Sequence, residues 1–408
     1  MIKLLSKNIF IYGGTNALKS LVPLLMLPIL TAHLTLSDFG ILSLVETTIL
    51  FVTPFILLNI NAAINVEYFK VKEQELKEFI TNGLILSIIS FIIVMIIVDI
   101  FQDNISSLLH LDKTIVLWIV IFSFFRIISS ILLGLYQSRQ ESKKFAAFTL
   151  LQTIFDFLLS YLLVVLYKYG YVGRLAGVYI SYFIFSIIGL YLLYKMNYLG
   201  KITFKHTKDI LHFGLPLIPH AISGTIMAMS DRYFISYFEG NEQVGVYAIA
   251  YQISALMLLV SISVNQAWSP MLFKLLKEKN IKNAINTTFL LFLFFILIGS
   301  MVYLLENILF SIFVDENFYM AKKYFGWLLL GFIFQSFYFL VTNFLFFEKK
   351  TKLLASITIV GAIINIILNC FFIQWFGVLG VAYATAITWF LFFFVVTIIN
   401  IKLIKDKI

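Results

Sequence analysis

Charged side chains inside apolar stretches are the residues of this sequence best placed to do chemistry. Three of them are basic: Lys19, Arg126 and Arg232. A charge placed in hydrocarbon is costly unless it is paired or hydrated, so each is expected to have a partner or a function. Facing a water-filled cavity, Lys19 and Arg126 would attract an anionic group such as a pyrophosphate, the arginine through parallel hydrogen bonds and the lysine as a point charge. A salt bridge from Arg126 to Asp156 would instead make it structural, and both roles stay open here.

Acidic residues in the same stretches suggest a second kind of chemistry. Glu46 and Asp156 would either bind a proton or cation, and so couple its movement to a conformational change, or remain permanently paired. Asp231 and Arg232 lie about six residues, on the order of 9 Å, from the end of their apolar stretch. They would pair at the membrane rim, with Arg232 reaching the interface by snorkelling, or form a gate in which both exchange partners as access changes.

Motifs for covalent or metal chemistry are missing from this sequence. It has no Walker A motif, no zinc-type histidine spacing and no nucleophile elbow. Its single cysteine, Cys370, lies in an apolar run and offers no disulfide framework. We therefore predict that the protein is not an enzyme, has no cofactor and no metal site, and acts by binding and conformational change.

The composition indicates an integral membrane protein that positions these charges on transmembrane helices. Of 408 residues, 61% are hydrophobic and 12% charged, whereas soluble proteins are about half apolar and a quarter charged. The apolar runs match the ~20 residues that cross ~30 Å of hydrocarbon as a helix. We predict an all-α integral membrane protein with twelve transmembrane helices, near residues 9–33, 41–66, 80–101, 114–136, 146–167, 175–194, 213–238, 246–268, 284–305, 325–346, 353–373 and 378–401.

The basic residues outside these spans predict the orientation of the chain. Both termini and alternate loops hold 22 Lys and Arg residues, and the opposite loops hold five. Because cytoplasmic loops are enriched in Lys and Arg, both termini are predicted to be cytoplasmic. This distribution also accounts for the net charge of +9 without a nucleic-acid partner.

An internal repeat divides the predicted spans into two sets of six. The segment "LSDFGILSL" after the first span is similar to "NEQVGVYAIAYQ" after the seventh, and Gly245 follows Gly40 by 205 residues. Likewise "YKYGYVGRLAGVYIS" and "IQWFGVLGVAYATAIT" precede the sixth and twelfth spans. We predict two similar six-helix halves, residues 1–194 and 213–408, joined by a cytoplasmic basic linker, residues 195–212.

Prolines concentrate in the leading helix of each predicted half. Pro23 and Pro28 lie in the first span, and Pro216 and Pro219 in the seventh. Proline removes an intrahelical hydrogen bond and bends the helix, so these four positions are predicted helix bends. Helices interrupted at corresponding positions of two repeats are typical of the substrate site and moving parts of a transporter.

The segment "SDRYFISYFEGNEQVGVYAIAYQ", taken with "LSDFGILSL" and the Gly-rich segments before spans six and twelve, resembles a known family. It is similar to the polysaccharide-transporter branch of the multidrug/oligosaccharidyl-lipid/polysaccharide (MOP) superfamily, and most of all to O-antigen (Wzx-type) flippases. The resemblance covers essentially the whole chain. It implies an inner-membrane flippase that moves undecaprenyl-pyrophosphate-linked oligosaccharide from the cytoplasmic to the periplasmic leaflet by alternating access. It also implies that Lys19, Arg126 and Arg232 contact the pyrophosphate.

The resemblance further implies the partners of the protein. These are the lipid-linked oligosaccharide, membrane lipid, a proton or cation gradient, and polysaccharide polymerase proteins. The alternative is a drug/cation antiporter of the multidrug-and-toxin extrusion type, which shares the architecture. An acid-rich interior would favour that alternative, but the span interiors hold about as many acids as bases. A membrane glycosyltransferase or polymerase would need a long catalytic loop, whereas the loops here are short.

Overall fold

The structure is a computed structural model that describes residues 2–203 and 206–405. The regular structure of these residues is helical, and it includes a π-helical turn at Leu162–Leu166 and 3₁₀ turns at Leu215–Leu217 and Glu316–Ala321. In chain order the α-helices are α1 (Ile2–His33), α2 (Leu36–Leu57), α3 (Ile60–Glu67), α4 (Glu73–Ile100), α5 (Gln102–Leu109), α6 (Lys113–Ser138), α7 (Ser142–Tyr161), α8 (Gly170–Lys195), α9 (Thr207–Gly214), α10 (Ile218–Met229), α11 (Asp231–Glu239), α12 (Asn241–Ser254), α13 (Leu256–Lys277), α14 (Ile281–Leu304), α15 (Glu306–Phe313), α16 (Lys322–Phe347), α17 (Thr351–Phe376) and α18 (Val378–Lys405).

Twelve helical stretches of the described residues are long and apolar enough to cross a membrane. The predicted all-α membrane fold and its span number are therefore confirmed. Some predicted spans consist of more than one helix: the second contains α2 and α3, and the seventh contains α10 and α11. The orientation of the termini stays a prediction.

The order of the helices repeats along the chain. Helix α12 begins 205 residues after α2, at the positions where the two repeated motifs start. The short helices α5 and α15 contain eight residues each and occupy the same place in the order. In the first motif Thr35 and Asp38 form a capping box, in which each side chain accepts a hydrogen bond from the backbone N–H of the other residue. The motif is thus a helix-start signal.

The chain divides into two compact units, Met1–Thr225 and Ile226–Ile408. The boundary lies inside the predicted seventh span, so α9 and the start of α10 pack with the first unit. In that unit α6 is the central helix: it packs against α2, α4 and α8. The fully buried side chains of Ile131, Leu132 and Leu135 contribute its apolar core.

In the second unit α16 occupies the central position. It packs against α12, α13 and α18, and 72% of its most apolar stretch is buried. Leu345 of α16 and Val396 of α18 are fully buried in this contact. The fourth span of the first half and the fourth span of the second half are therefore the best-packed helices of their units.

The predicted linker lies against the first unit. The Gly200 N–H donates to Thr81 Oγ1 at 2.8 Å, and the Thr203 N–H donates to Asn82 Oδ1 at 3.4 Å. Tyr198 is buried, and its hydroxyl accepts a hydrogen bond from Arg139 at 3.1 Å. A Cβ at residue 200 would lie 2.9 Å from the Glu78 backbone nitrogen. The close approach therefore requires glycine there.

The proline-containing spans differ in how they are interrupted. Helix α1 runs through Pro23 and Pro28 without a break, so a bend at these residues stays a prediction. Pro216 lies in the 3₁₀ turn and Pro219 in the first turn of α10. The seventh span is therefore irregular at the predicted place.

A further interruption lies in the second predicted span. Leu58 and Asn59 both adopt left-handed backbone angles, with φ of 50° and 51°, and they separate α2 from α3. Asn59 Nδ2 donates to the Gly214 carbonyl at 3.3 Å. This hydrogen bond ties the break to α9 within the first unit.

Candidate functional site

An ion pair between α2 and α6 lies near the middle of both helices. Arg126 donates from Nη1 to Glu46 Oε1 at 3.0 Å and from Nη2 to Oε2 at 2.8 Å. The guanidinium carbon also lies 4.9 Å from the ring centroid of Tyr182 on α8. Two parallel hydrogen bonds and a ring face fix the guanidinium plane, which is the geometry arginine uses to bind carboxylates and phosphates.

The Arg126 and Glu46 side chains differ in exposure, and this difference affects whether another anion could replace Glu46. The Arg126 side chain is 16% exposed, whereas that of Glu46 is 48% exposed. The buried Arg126 Nε has no hydrogen-bond partner among the described residues. Lys19 on α1 is exposed and lies close enough to interact electrostatically with Glu46. The structure therefore brings together three of the predicted residues.

A second ion pair of the first unit corrects the sequence interpretation. Asp156 on α7 accepts a hydrogen bond from Arg174 at 2.6 Å, and Arg174 also donates to Ser160 Oγ at 2.6 Å. The predicted alternative of an Arg126–Asp156 salt bridge is wrong, because each residue pairs elsewhere. Arg174 was assigned to a loop, but α8 begins at Gly170 and carries it as a helical residue.

In the second unit, Asp231 lies at the start of α11 and is 1% exposed. Its Oδ2 accepts hydrogen bonds from the hydroxyl of Tyr247 on α12 and from Thr385 Oγ1 on α18, the latter at 3.1 Å. Its Oδ1 is buried and has no hydrogen-bond partner among the described residues. The carboxylate is thus held by hydroxyl groups, with one acceptor oxygen still unsatisfied.

Side-chain amides continue this polar cluster. Asn365 on α17 accepts from Ser230 Oγ at 3.0 Å and from Asn369 Nδ2 at 3.1 Å, and it donates to Thr388 Oγ1 at 3.2 Å. Asn365 and Asn369 are 1% and 0% exposed. Four helices of one unit therefore supply an entirely buried set of oxygen atoms and hydroxyl groups.

Arg232 lies next to this cluster and is 4% exposed. Its guanidinium carbon lies 4.5 Å from the ring centroid of Tyr251. The prediction that Arg232 snorkels to the interface is wrong, because a snorkelling side chain would be exposed at its charged end. Cation–π contact with the partly buried Tyr251 stabilises the guanidinium here, and its Nη1 also donates to the Ala228 carbonyl at 3.5 Å.

Sequence reasoning missed the tyrosines that hold both residues. Tyr247 and Tyr251 are four residues apart and lie on one face of α12. This spacing within the repeated motif "VGVYAIAYQ" was a usable signal, because two ring hydroxyls on one helix face rarely point to lipid together. Within the described part of the chain, no group of three or more His, Cys, Asp or Glu side chains could hold a metal ion.

The sequence matches two known families. Residues 5–276 match the family described as polysaccharide biosynthesis protein, and residues 216–371 match the family described as MatE. A relative in Haemophilus influenzae, "Lsg locus putative protein 1", is 24% identical, and the match covers 88% of this chain and 89% of the relative. A "probable low-salt glycan biosynthesis flippase" of Haloferax volcanii is 27% identical over 47% of this chain and 41% of its own length.

Solved structures share the fold. An inward-facing multidrug resistance MATE family transporter of the MOP superfamily gives a TM-score of 0.79 at 14% identity, and the match covers 95% of both chains. The lipid II flippase MurJ in an inward closed conformation gives a TM-score of 0.74 at 17% identity, covering 97% of this chain and 87% of that one. At these identities the likeness concerns the fold alone.

Proposed function

The chain belongs to the polysaccharide biosynthesis protein family, within the MOP superfamily, and from that premise we propose that it is a flippase. Its substrate is an undecaprenyl-pyrophosphate-linked oligosaccharide, an O-antigen unit or a related surface polysaccharide repeat unit. The protein moves this lipid from the cytoplasmic to the periplasmic leaflet of the inner membrane by alternating access. No bond is made or broken, so the work is done by binding and conformational change.

The observation that carries this proposal is the guanidinium of Arg126 near the middle of α6. Arg126 lies thirteen residues after Lys113, the first residue of the helix, which is on the order of 20 Å along its axis. A guanidinium at that depth needs an anionic partner, and Glu46 supplies it in this structure. A pyrophosphate crossing the membrane would be a second anionic partner, and Lys19 lies near enough to Glu46 to add another positive charge.

Exchange between two anions, the Glu46 carboxylate and the pyrophosphate, explains how the Arg126 site would bind and release its substrate. In the resting state the Glu46 carboxylate satisfies two donors of Arg126. An arriving phosphate would displace the half-exposed Glu46 carboxylate from the Nη1 and Nη2 donors. Glu46 would recapture the guanidinium after release, so the charge of Arg126 is never left unpaired in hydrocarbon.

The lipid part of the substrate needs no carrier through the protein interior. Oligosaccharide and pyrophosphate are costly to move through hydrocarbon, whereas the polyprenyl chain is not. The polar groups would therefore cross along the Arg126 site while the chain stays in or beside the bilayer. Asp231, with its unsatisfied Oδ1, is the residue we assign to binding a proton or cation that drives the cycle. Arg232 belongs to this buried cluster.

Loss of the gene tests the proposed function directly. In the native host, deletion should leave the lipid-linked oligosaccharide on the cytoplasmic leaflet and remove the surface glycan. A plasmid copy of the gene should restore both. Unchanged surface glycan, together with altered tolerance to cationic drugs, would contradict the flippase.

The second candidate is a drug or cation antiporter of the multidrug-and-toxin extrusion type. The match of residues 216–371 to the MatE family favours it, as does the buried carboxylate of Asp231 in the same region. Purified protein in vesicles separates the two candidates. The antiporter would move a fluorescent cationic dye in exchange for ions that flow down an imposed gradient. The flippase would leave the dye distribution unchanged.

A further inference from the structure

An open groove between α6 and α8 lies beside the Arg126 site in the first unit. It encloses about 620 Å³, and its walls are almost entirely apolar. It extends from Thr114 to Phe125 along α6, which is about 16 Å at 1.5 Å per residue. That length is roughly half of the ~30 Å hydrocarbon thickness of a bilayer. The groove therefore has the depth of one leaflet.

Stacked aromatic rings keep this groove open. The ring of Phe122 stacks on that of Tyr179, with a centroid distance of 3.2 Å and planes 2° apart, and it contacts Trp118 at 5.4 Å with planes 27° apart. Phe125 and Phe183 form a second contact, at 5.0 Å. Trp118 and Phe183 are nonetheless 46% and 45% exposed. Rings that hold each other in place cannot collapse into the groove, so the apolar wall is preformed.

The deep end of the groove reaches the ion pair. Phe122 and Phe125 precede Arg126 on α6 by four residues and by one residue. Tyr182, whose ring lies against the guanidinium, stands between Tyr179 and Phe183 on α8. The apolar wall and the cationic site are thus adjoining surfaces of the same two helices. A single amphiphile could fill both.

We propose that the groove binds the first isoprene units of the lipid-linked substrate while its pyrophosphate lies at Arg126. This inference rests on the proposed function and extends it to the lipid chain. A cavity of ~150 Å³ holds a benzene ring, so the groove has room for on the order of 20 carbon atoms, roughly four isoprene units. The remainder of a longer chain stays in the bilayer.

The position of the positive charge distinguishes an isoprenoid pyrophosphate from an ordinary phospholipid. A phospholipid keeps its phosphate at the membrane interface, and its chains then end near the midplane. Such a lipid would place methyl groups beside Arg126 and its phosphate at the far end of the groove, near Thr114. Charge complementarity therefore favours a lipid whose phosphate lies at the deep end and whose chain extends outward.

A matched pair of substitutions on α8 tests the groove. Ile180 lines it, whereas Ile187, seven residues further along the same helix, lies outside it. Both are exposed, at 43% and 53%, so a tryptophan at either position should leave folding intact. Ala176→Trp, which also fills the groove, is the second variant. The probes are radiolabelled geranylgeranyl pyrophosphate and inorganic pyrophosphate, with the full chain in phosphatidylcholine nanodiscs.

We expect Ile180→Trp and Ala176→Trp to weaken geranylgeranyl pyrophosphate binding by about tenfold or more, because several buried methylene groups lose their contacts. Ile187→Trp should bind it as the wild type does, and inorganic pyrophosphate should bind all three variants equally. Arg126→Ala should weaken both ligands.

Wild-type geranylgeranyl pyrophosphate affinity in both groove variants would overturn the groove assignment while leaving the Arg126 site and the flippase intact. The groove assignment would equally be overturned if these variants lose co-purified phospholipid, seen by native mass spectrometry, but keep geranylgeranyl pyrophosphate. Failure of the wild-type protein to bind either pyrophosphate would instead contradict the proposed function as well.

Discussion

In the first unit Arg126 meets the Glu46 carboxylate through two hydrogen bonds, whereas in the second unit Asp231 meets the hydroxyls of Tyr247 and Thr385. The first arrangement joins opposite charges, and one partner is about half exposed. The second surrounds a carboxylate with neutral donors, and its exposure is 1%. The two halves of a repeated fold therefore hold a charge inside the membrane in two different ways.

The difference indicates which site a bulky ligand could reach. A half-exposed carboxylate can leave its guanidinium and be hydrated, so a competing anion can take its place. A buried carboxylate held by hydroxyl groups has no water to replace them, and only a small species such as a proton or a metal cation would fit. This difference is why we assign the anionic substrate to the first unit and the coupling ion to the second.

Replacement of Arg126 by alanine should give the largest functional effect. We expect transport of lipid-linked oligosaccharide to fall about 100-fold, because a bidentate charged contact contributes roughly 3 kcal/mol. The measurement is the rate at which substrate in reconstituted vesicles becomes accessible on the far leaflet, with protein abundance checked in parallel.

Arg139 provides the matched control for Arg126. It pairs with Glu141 at 2.8 Å and lies 5.5 Å from the Tyr198 ring, but it follows the end of α6. Arg139→Ala should transport at nearly the wild-type rate. Equal losses in both variants would mean that Arg126 acts only through stability.

The largest effect on stability should come from Tyr247→Phe. This change removes a hydroxyl donor from the buried Asp231 carboxylate, which costs about 1–3 kcal/mol. Thermal unfolding in detergent should show a clearly lowered midpoint. Tyr251→Phe keeps the ring over Arg232 and should shift the midpoint much less. An unchanged midpoint for Tyr247→Phe would show that the Asp231 cluster is not held as described.

Glu46→Gln should change ligand binding less than Arg126→Ala does, and in the opposite direction: binding should become stronger. The change leaves the Arg126 guanidinium, which is 16% exposed, without its anionic partner, so the unfolding midpoint should fall. Affinity for inorganic pyrophosphate should rise several-fold, since the competing carboxylate charge is gone. Calorimetric titration measures it, and a weakened affinity would contradict exchange of anions at Arg126.

The smallest effect is expected for Ser160→Ala. The variant removes one acceptor of Arg174 but leaves its pairing with Asp156, and should cost about 0.5–1.5 kcal/mol. Transport at a normal rate would place this second ion pair among the structural contacts of the first unit. A strong transport defect at normal abundance would instead make α7 and α8 part of the substrate path.

The sequence predicted the spans well because a membrane helix requires a long apolar run, and such runs can be read directly. The repeated motif was recognised as a repeat but not as a helix start: the second span was predicted to begin at residue 41, whereas Thr35 and Asp38 cap α2 at Leu36. Ion pairs between residues distant along the chain could not be predicted in this way. Glu46 and Arg126 are 80 residues apart, and similar depth suggested Asp156, not Glu46, as the partner of Arg126.

Two further differences between the predicted and observed helix boundaries arise because sequence patterns indicate only local preferences. Arg174 was predicted to lie in a loop because charged residues and glycine usually end a span. In the structure α8 begins at Gly170, before Arg174, and Asp156 neutralises the arginine. The break at Leu58 and Asn59 follows Pro54, which signals an irregularity nearby but not its position. At the break Asn59 donates to the Gly214 carbonyl of α9, a partner 155 residues away that the local sequence does not indicate.

The attachment of residues 198–203 to α4 has a practical consequence for protein engineering. A segment between two repeats is the usual place to insert a protease site, a fluorescent protein or an affinity tag. Here Gly200 and Thr203 are hydrogen-bonded to Thr81 and Asn82, and no Cβ fits at residue 200. Fusions at this position would displace part of the first unit.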